Sequence, residues 1–370
     1  MNPDSPAAEL LLELLQQAGH AGASDIHLHR RQEDAAVAFR LDGVLTAVRT
    51  LPAAVADRLF GRTKFLARLK TYQESLPQDG RIDRADAGTA GDVRVATYPT
   101  ITGEKIVLRL FLTGNAPELA KLGFPEEAVG ELERFLAQPS GLLLLTGPAG
   151  SGKTTTIYAC LQHLATAGGR HVITVEDPVE RVIDGVMQTE IHEGRGLTFA
   201  VAARHLLRQD PQVLVIGEIR DEETALIAVR AALTGHQVIS TLHAGSCRGV
   251  IERLLGLCRE PHAVLTAAEL VLNQRLIRRL CPDCAGQGCK SCLNSGYHGR
   301  LPVVEWLRFS DVLRRQVRAA GPDEIVPARN LVKSVRDVLA AGWSDEKEAT
   351  RVFGEWPPGN EASPTTNEHE

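Results

Sequence analysis

The sequence predicts an α/β protein in two parts: a small α+β domain, then a larger domain built on a parallel sheet. Three observations carry this. Short strand-like runs crowd the first 112 residues, the string GPAGSGKT occupies Gly147 to Thr154, and beyond it apolar runs alternate with helical stretches. That alternation implies parallel strands joined by crossover helices, with ligand chemistry gathered at the carboxyl ends of the strands.

Along the chain, leucines at helical spacing predict an amphipathic helix over Ala8 to Ala18. Strands follow at Asp25 to His29 and Ala36 to Leu41, with a turn at Asp42-Gly43, in a unit that runs to about Leu112. TGNAP, residues 113–117, has linker composition. The second domain spans residues 118–353. Its strands are expected at Leu142 to Leu145, His171 to Val175, Val213 to Ile216 and Val238 to Thr241, and a helix at Thr155 to Ala165. After Leu280 come four closely spaced cysteines and a mostly helical stretch to Phe353. The Pro/Glu/Thr-rich end, 354–370, cannot bury enough apolar surface to fold.

With 370 residues, 44% hydrophobic and 24% charged, the chain is long enough for more than one core. A net charge of −5 argues against a nucleic-acid partner, which needs a basic face. No apolar run reaches bilayer length and the start MNPDSP is not a signal peptide, so a soluble cytoplasmic protein is expected. Four of seven cysteines are bunched, which suits one metal site in a reducing compartment.

The string at Gly147 sits between an apolar strand and a helix, the context in which such a loop aims backbone N–H groups and a helix dipole at a polyphosphate. Lys153 can reach the β- and γ-phosphates and Thr154 can ligate Mg²⁺. The nucleotide-contacting stretch is Gly147, Pro148, Ala149, Gly150, Ser151, Gly152, Lys153, Thr154 and Thr155. Three further strands end in polar groups. HVITVEDPVE places Glu176, Asp177 and Glu180 within five residues, which suits a metal or general-base role for any of them. The apolar strand of VLVIGEIRD ends in Glu218, where phosphate-loop ATPases hold the magnesium shell. GHQVISTLHA carries His236 and His243 on either side of a strand, and an imidazole at a strand end can sense the γ-phosphate.

Cys281, Cys284, Cys289 and Cys292 form two C-x-x-C pairs, a set that closes a tetrahedral zinc shell and leaves no open position for chemistry. Arg81, Arg94 and Arg109 in the first domain could each supply positive charge to a transferring phosphoryl group.

Taken together these segments resemble the secretion and pilus-motor ATPases of type II secretion and type IV pilus assembly. The resemblance rests on ASDIHLHR, FRLDGVL, LPQDGRI, DVRVATYPTITGEKIVLRL, the phosphate loop, ITVEDPVE, GLTFA, RHLLRQDPQVLVIGEIRDEETA, GHQVISTLHA, QRLIRRLCPDC and GYHGRLPVVE, in that order. It implies a PAS-like first domain, a RecA-like second domain, and a homohexamer working with ATP, Mg²⁺ and Zn²⁺ on an inner-membrane platform protein. Glu180 becomes the expected catalytic base, Glu218 the magnesium-associated acid, His236 and His243 the family's histidine box, and Arg81, Arg94 and Arg109 arginine-finger candidates. The chain begins almost directly at the PAS-like domain, and its cysteine loop is shorter than that of most secretion members. Three rival readings stand beside assembly: a pilus-retraction motor, whose family generally lacks the four cysteines, a low-turnover regulatory subunit, and a DNA-translocating motor that the charge disfavours.

Overall fold

The computed structural model describes residues 6–89, 91–110 and 116–356. The expected linker at 113–117 and the tail at 354–370 lie largely outside them. The chain divides into two compact units, Met1–Asn115 with Arg278–Gly299, and Ala116–Ile277 with Arg300–Glu370.

The first unit opens with α1 (Pro6–His20), followed by β1 (Asp25–Arg30), β2 (Asp34–Leu41), β3 (Val44–Pro52) and α2 (Ala53–Leu66). Then come β4 (Gln78–Ile82), the one-turn α3 (Arg84–Ala87), β5 (Val93–Thr100) and β6 (Gly103–Leu110). The strands make one antiparallel sheet ordered β3-β2-β1-β6-β5-β4. Asp42 and Gly43, with φ of 49° and 84°, make the tight turn between β2 and β3 that their residue types favour. Period-two alternation turns Ile26, Leu28, Val37, Phe39, Val93, Val95, Ile106 and Leu108 to one face, where Leu11, Leu14, Leu15, Leu59 and Phe60 of the helices cover them.

The opposite face carries charge. Arg81 pairs with Arg94, Arg94 with Arg109, Arg109 with Asp25 and Asp25 with Arg40, so the three candidate arginines occupy three neighbouring strands of one rung that crosses five.

A buried ion pair ties α2 to β6: Lys64 Nζ lies 2.9 Å from Glu104 Oε1 and also donates to the Gln73 carbonyl at 2.9 Å. Both side chains are nearly inaccessible, at 2% and 4%. Removing one partner leaves an uncompensated buried charge. Lys64→Ala is expected to destabilise the fold by about 3–5 kcal/mol, whereas the joint apolar replacement Lys64→Met with Glu104→Leu costs far less. Denaturant titration of both variants checks this.

In the second unit α4 (Glu126–Leu136) precedes β7 (Gly141–Thr146), α5 (Lys153–Ala167), β8 (Val172–Glu176), β9 (Val186–Glu190), α6 (Phe199–Leu206), β10 (Val213–Ile216), α7 (Glu222–Leu233) and β11 (Gln237–Thr241). It continues with α8 (Cys247–Leu257), α9 (Pro261–Ala267), β12 (Ala268–Leu280), β13 (Tyr297–Arg308), α10 (Asp311–Ala320), α11 (Leu331–Ala340) and α12 (Glu346–Phe353). The sheet order is β13-β12-β7-β11-β10-β8-β9, with β12, β7, β11, β10, β8 and β9 parallel. Its central strands are buried on both faces. Leu142 and Leu144 enter one core and Leu143 and Leu145 the other, which is why four leucines run consecutively.

The four expected strands are present, and the helix of the phosphate loop runs two residues beyond expectation at each end. The stretch after the cysteines differs: it opens with a twelve-residue strand, β13, before turning helical. Pro302 obscures that strand in the sequence, yet it is tolerated because β13 is the sheet edge. Among the described residues no helix is long and apolar enough to cross a membrane.

Candidate functional site

The phosphate loop follows β7, and its glycines are there for geometric reasons. Gly147 has φ 135°, and a Cβ on it would lie 2.2 Å from the Gln274 carbonyl oxygen. Gly152, φ 91°, caps α5 so that the helix begins at Lys153. Gly147→Ala is therefore expected to strain the loop by about 1–3 kcal/mol, read as a loss of nucleotide affinity of about fivefold to a hundredfold in a fluorescence titration.

Behind the loop stands Gln274 of β12, fully buried, donating from Nε2 to the Ser151 carbonyl at 2.7 Å and accepting from Thr156 Oγ1 at 3.0 Å. Its neighbour Asn273 donates to the Gly245 carbonyl at 2.9 Å, and Thr146 exchanges hydrogen bonds with Ala244 at 3.0 and 2.9 Å. These bonds tie the loop after β11, with His243, to the phosphate-loop strand.

Lys153 Nζ donates to the carbonyls of Gly147 and Pro148 at 2.8 and 3.0 Å. Burial holds its pKa below the usual lysine value; Glu218 opposes that and Arg275 adds to it. Thr154 and Thr155 are exposed on the first turn of α5.

Glu218, just past the carboxyl end of β10, meets His243: Nε2 is 3.0 Å from Oε1. Its other oxygen accepts from Arg220 Nε at 2.7 Å, and Arg220 reaches on to Asp177 at 3.4 Å. Gly217 is small because a Cβ there would press on the Val175 carbonyl at 3.1 Å and the Phe199 ring at 3.3 Å. Lys153, Glu218, Asp177 and His243 are thus brought to one end of the sheet, with Arg220 linking the acids.

The three carboxylates of the loop after β8 have different fates. Glu176 is 7% exposed and accepts from Thr174 Oγ1 at 2.5 Å, Gln188 Nε2 at 2.9 Å and the Tyr158 hydroxyl. Its oxygens are committed inside the protein, which speaks against the metal or base role weighed for it alongside Asp177 and Glu180. Asp177 is held by Arg220. Glu180 is exposed, at the end of a segment whose Asp177–Pro178 peptide is cis.

His236 stands apart. It precedes β11, while the phosphate loop and His243 follow strand carboxyl ends, and the five residues of β11 separate the two histidines by about 17 Å or more. Its Nδ1 lies 3.1 Å from the Ala231 carbonyl. The two histidines lie on either side of a strand as expected, and only His243 is at the end that carries the phosphate loop. Of the three arginines, Arg109 pairs with buried Asp25 at 3.0 Å and Arg81 with Asp92 and Asp83.

In the first unit the cysteine thiols converge, with Sγ–Sγ distances of 3.9 Å for Cys281–Cys289, 3.8 Å for Cys284–Cys292 and 3.7 Å for Cys289–Cys292. A tetrahedral zinc with bonds of about 2.3 Å has ligand edges of about 3.8 Å. The backbone N–H of Gly288 donates to Cys284 Sγ, and those of Cys289 and Gly296 to Cys292 Sγ, at 3.2–3.3 Å, the bonds that stabilise thiolates. The residues therefore fit zinc. The gap between the pairs is short because it closes the tip between β12, ending at Leu280, and β13, starting at Tyr297.

Arg220, Gln274, Asn273 and Tyr158 escape sequence reasoning. The one legible signal was Asn273-Gln274, two amides inside an otherwise apolar run.

Fold and site together define a phosphate-loop nucleotide-binding α/β protein. The chain matches the family described as "Type II/IV secretion system protein" over residues 1–352 and belongs to it. It is 39% identical over 363 residues to the type II secretion system ATPase E of Vibrio cholerae, covering 90% of this chain and 72% of that one. It is 40% identical over 344 residues to the type IV pilus assembly ATPase PilB of Myxococcus xanthus, covering 85% and 61%. Among solved structures, the pilus retraction motor PilT with bound ADP superposes with a TM-score of 0.64 at 25% identity, over 92% of this chain and 96% of PilT.

Proposed function

We propose that this chain hydrolyses ATP with Mg²⁺ as one subunit of a homohexameric motor that drives pilin or pseudopilin assembly through an inner-membrane platform protein. The observation that carries the reading is the convergence of Lys153, Glu218 and His243 at the mouth of the phosphate loop. The loop amides and the N-terminus of α5 would cradle the phosphates, and the Lys153 ammonium would exchange the Gly147 and Pro148 carbonyls for phosphate oxygens. Thr154 and Glu218 would hold Mg²⁺, which supplies charge neutralisation between the phosphates when bound. Glu180 would orient and deprotonate the attacking water. Arg81, Arg94 and Arg109 stand as candidates for an arginine delivered to the γ-phosphate. We read the first unit as PAS-like and the second as RecA-like, and His243 as the histidine that links Glu218 to the presence of the γ-phosphate.

Assembly is preferred to retraction because the four thiols are gathered at zinc-ligand spacing, an element retraction motors generally lack. The likeness to PilT is what favours the second reading. A phosphate-release assay tests the activity: turnover should require Mg²⁺ and fall to background with EDTA. Turnover at background with Mg²⁺ present would leave a regulatory nucleotide-binding subunit, and stimulation by DNA would indicate a translocase.

A further inference from the structure

We propose that Tyr158 is a positioning residue for the acid at 180: its hydroxyl docks the Glu180 segment onto the phosphate-loop helix. The proposal deepens the reading of Glu180 as the base and rests on it.

Tyr158 lies on α5, five residues beyond Lys153, and is 4% exposed. Its oxygen accepts from the backbone N–H groups of Glu180 and Arg181 at 2.9 and 3.1 Å, and its proton goes to the buried Glu176 carboxylate. A phenol has one proton and two acceptor lone pairs, so this hydroxyl is fully used. Glu176 fixes the direction of that proton, because Thr174 and Gln188 hold one of its oxygens and the tyrosine takes the other. Gln188 closes the arrangement by donating also to the Arg181 carbonyl at 2.9 Å and accepting from Ile183 N at 2.7 Å.

Two consecutive N–H groups beside the candidate base are therefore anchored to the helix whose first turn carries Lys153 and Thr154. Burial, then the hydrogen bond to Glu176, raise the phenol pKa, so it stays a proton donor throughout the working range. A tyrosine buried only for its ring would not need this bonding. Phenylalanine fills the same volume and leaves two N–H groups and a carboxylate oxygen without their partner.

The test is a cycle of Tyr158→Phe and Glu180→Gln in the full chain, with kcat, nucleotide Kd by fluorescence titration, and melting temperature measured for each. A displaced base should lower kcat about ten- to hundredfold in Tyr158→Phe, with nucleotide Kd within about twofold of the parent. In the Glu180→Gln background the tyrosine change should lower kcat no further. Glu176→Gln, which sets an amide donor where an acceptor is needed, should repeat the kcat-only loss.

Parental kcat in Tyr158→Phe beside an inactive Glu180→Gln overturns the positioning role and leaves the base assignment standing. Losses that multiply in the double variant, or a loss confined to nucleotide affinity, also overturn it. Parental turnover in Glu180→Gln overturns the base assignment, and with it the role assigned to Tyr158. If Tyr158→Phe and Glu176→Gln both fail to fold, the cluster is a folding element and the proposal fails.

Discussion

Replacing Glu180 by Gln is expected to leave nucleotide binding intact and to lower ATP hydrolysis by about 10²–10⁴-fold, the usual contribution of a general base. The substitution keeps shape and removes only the ability to take a proton. Glu180 is exposed, whereas Glu176 is buried and enclosed by three donors, so Glu180 is better placed than Glu176 to meet a water. Single-turnover phosphate release beside an equilibrium nucleotide titration separates chemistry from binding. Full turnover in the variant would move the base to Asp177, because Glu176 has no oxygen to offer.

Removing zinc is expected to cost stability and leave the chemical step unchanged. Elemental analysis of the purified chain should find one zinc per protomer. Stripping it, or changing Cys284 and Cys289 to Ser, should remove about 3 kcal/mol or more, on the order of 10 °C in melting temperature. The size follows from what the thiols organise: Ala285, Leu293 and Asn294, at φ of 48°, 50° and 61°, hold left-handed conformations that non-glycine residues adopt only under constraint. Leu293 packs on the core of the first unit and Gly299 N donates to Asp42 Oδ2 at 2.8 Å, so loosening the knuckle loosens that unit. Purified protein without metal would sink this prediction, as would a kcat that falls in proportion to zinc while the melting temperature holds.

Much of the fold was legible because the signals were local. Four consecutive leucines, the valine-rich runs ending in acids, and a loop with three glycines are patterns that short-range physics writes into the chain. The candidate site was legible to the extent that its residues sit just past strand ends, as Glu218 and His243 do, or in the phosphate loop, as Lys153 does. The strand between His236 and His243 was legible, but not that it leaves only His243 at the end that carries the phosphate loop, because that depends on how β11 pairs with β7. The different surroundings of Glu176, Asp177 and Glu180 were not legible, because the sequence does not show that the fold buries the first and leaves the other two exposed. Tyr158 was invisible because its role is a set of hydrogen bonds to segments distant in sequence, which leave no periodicity to read.

Under the proposed arginine-finger role, the rung Arg81–Arg94–Arg109 sets durability against work. Like charges directly opposite on neighbouring strands disfavour the sheet, and Arg94 has an arginine on both sides. A selection for heat resistance alone would drift toward neutral residues at that position, and, on the arginine-finger reading proposed above, the hardier variants it returned would hydrolyse ATP more slowly.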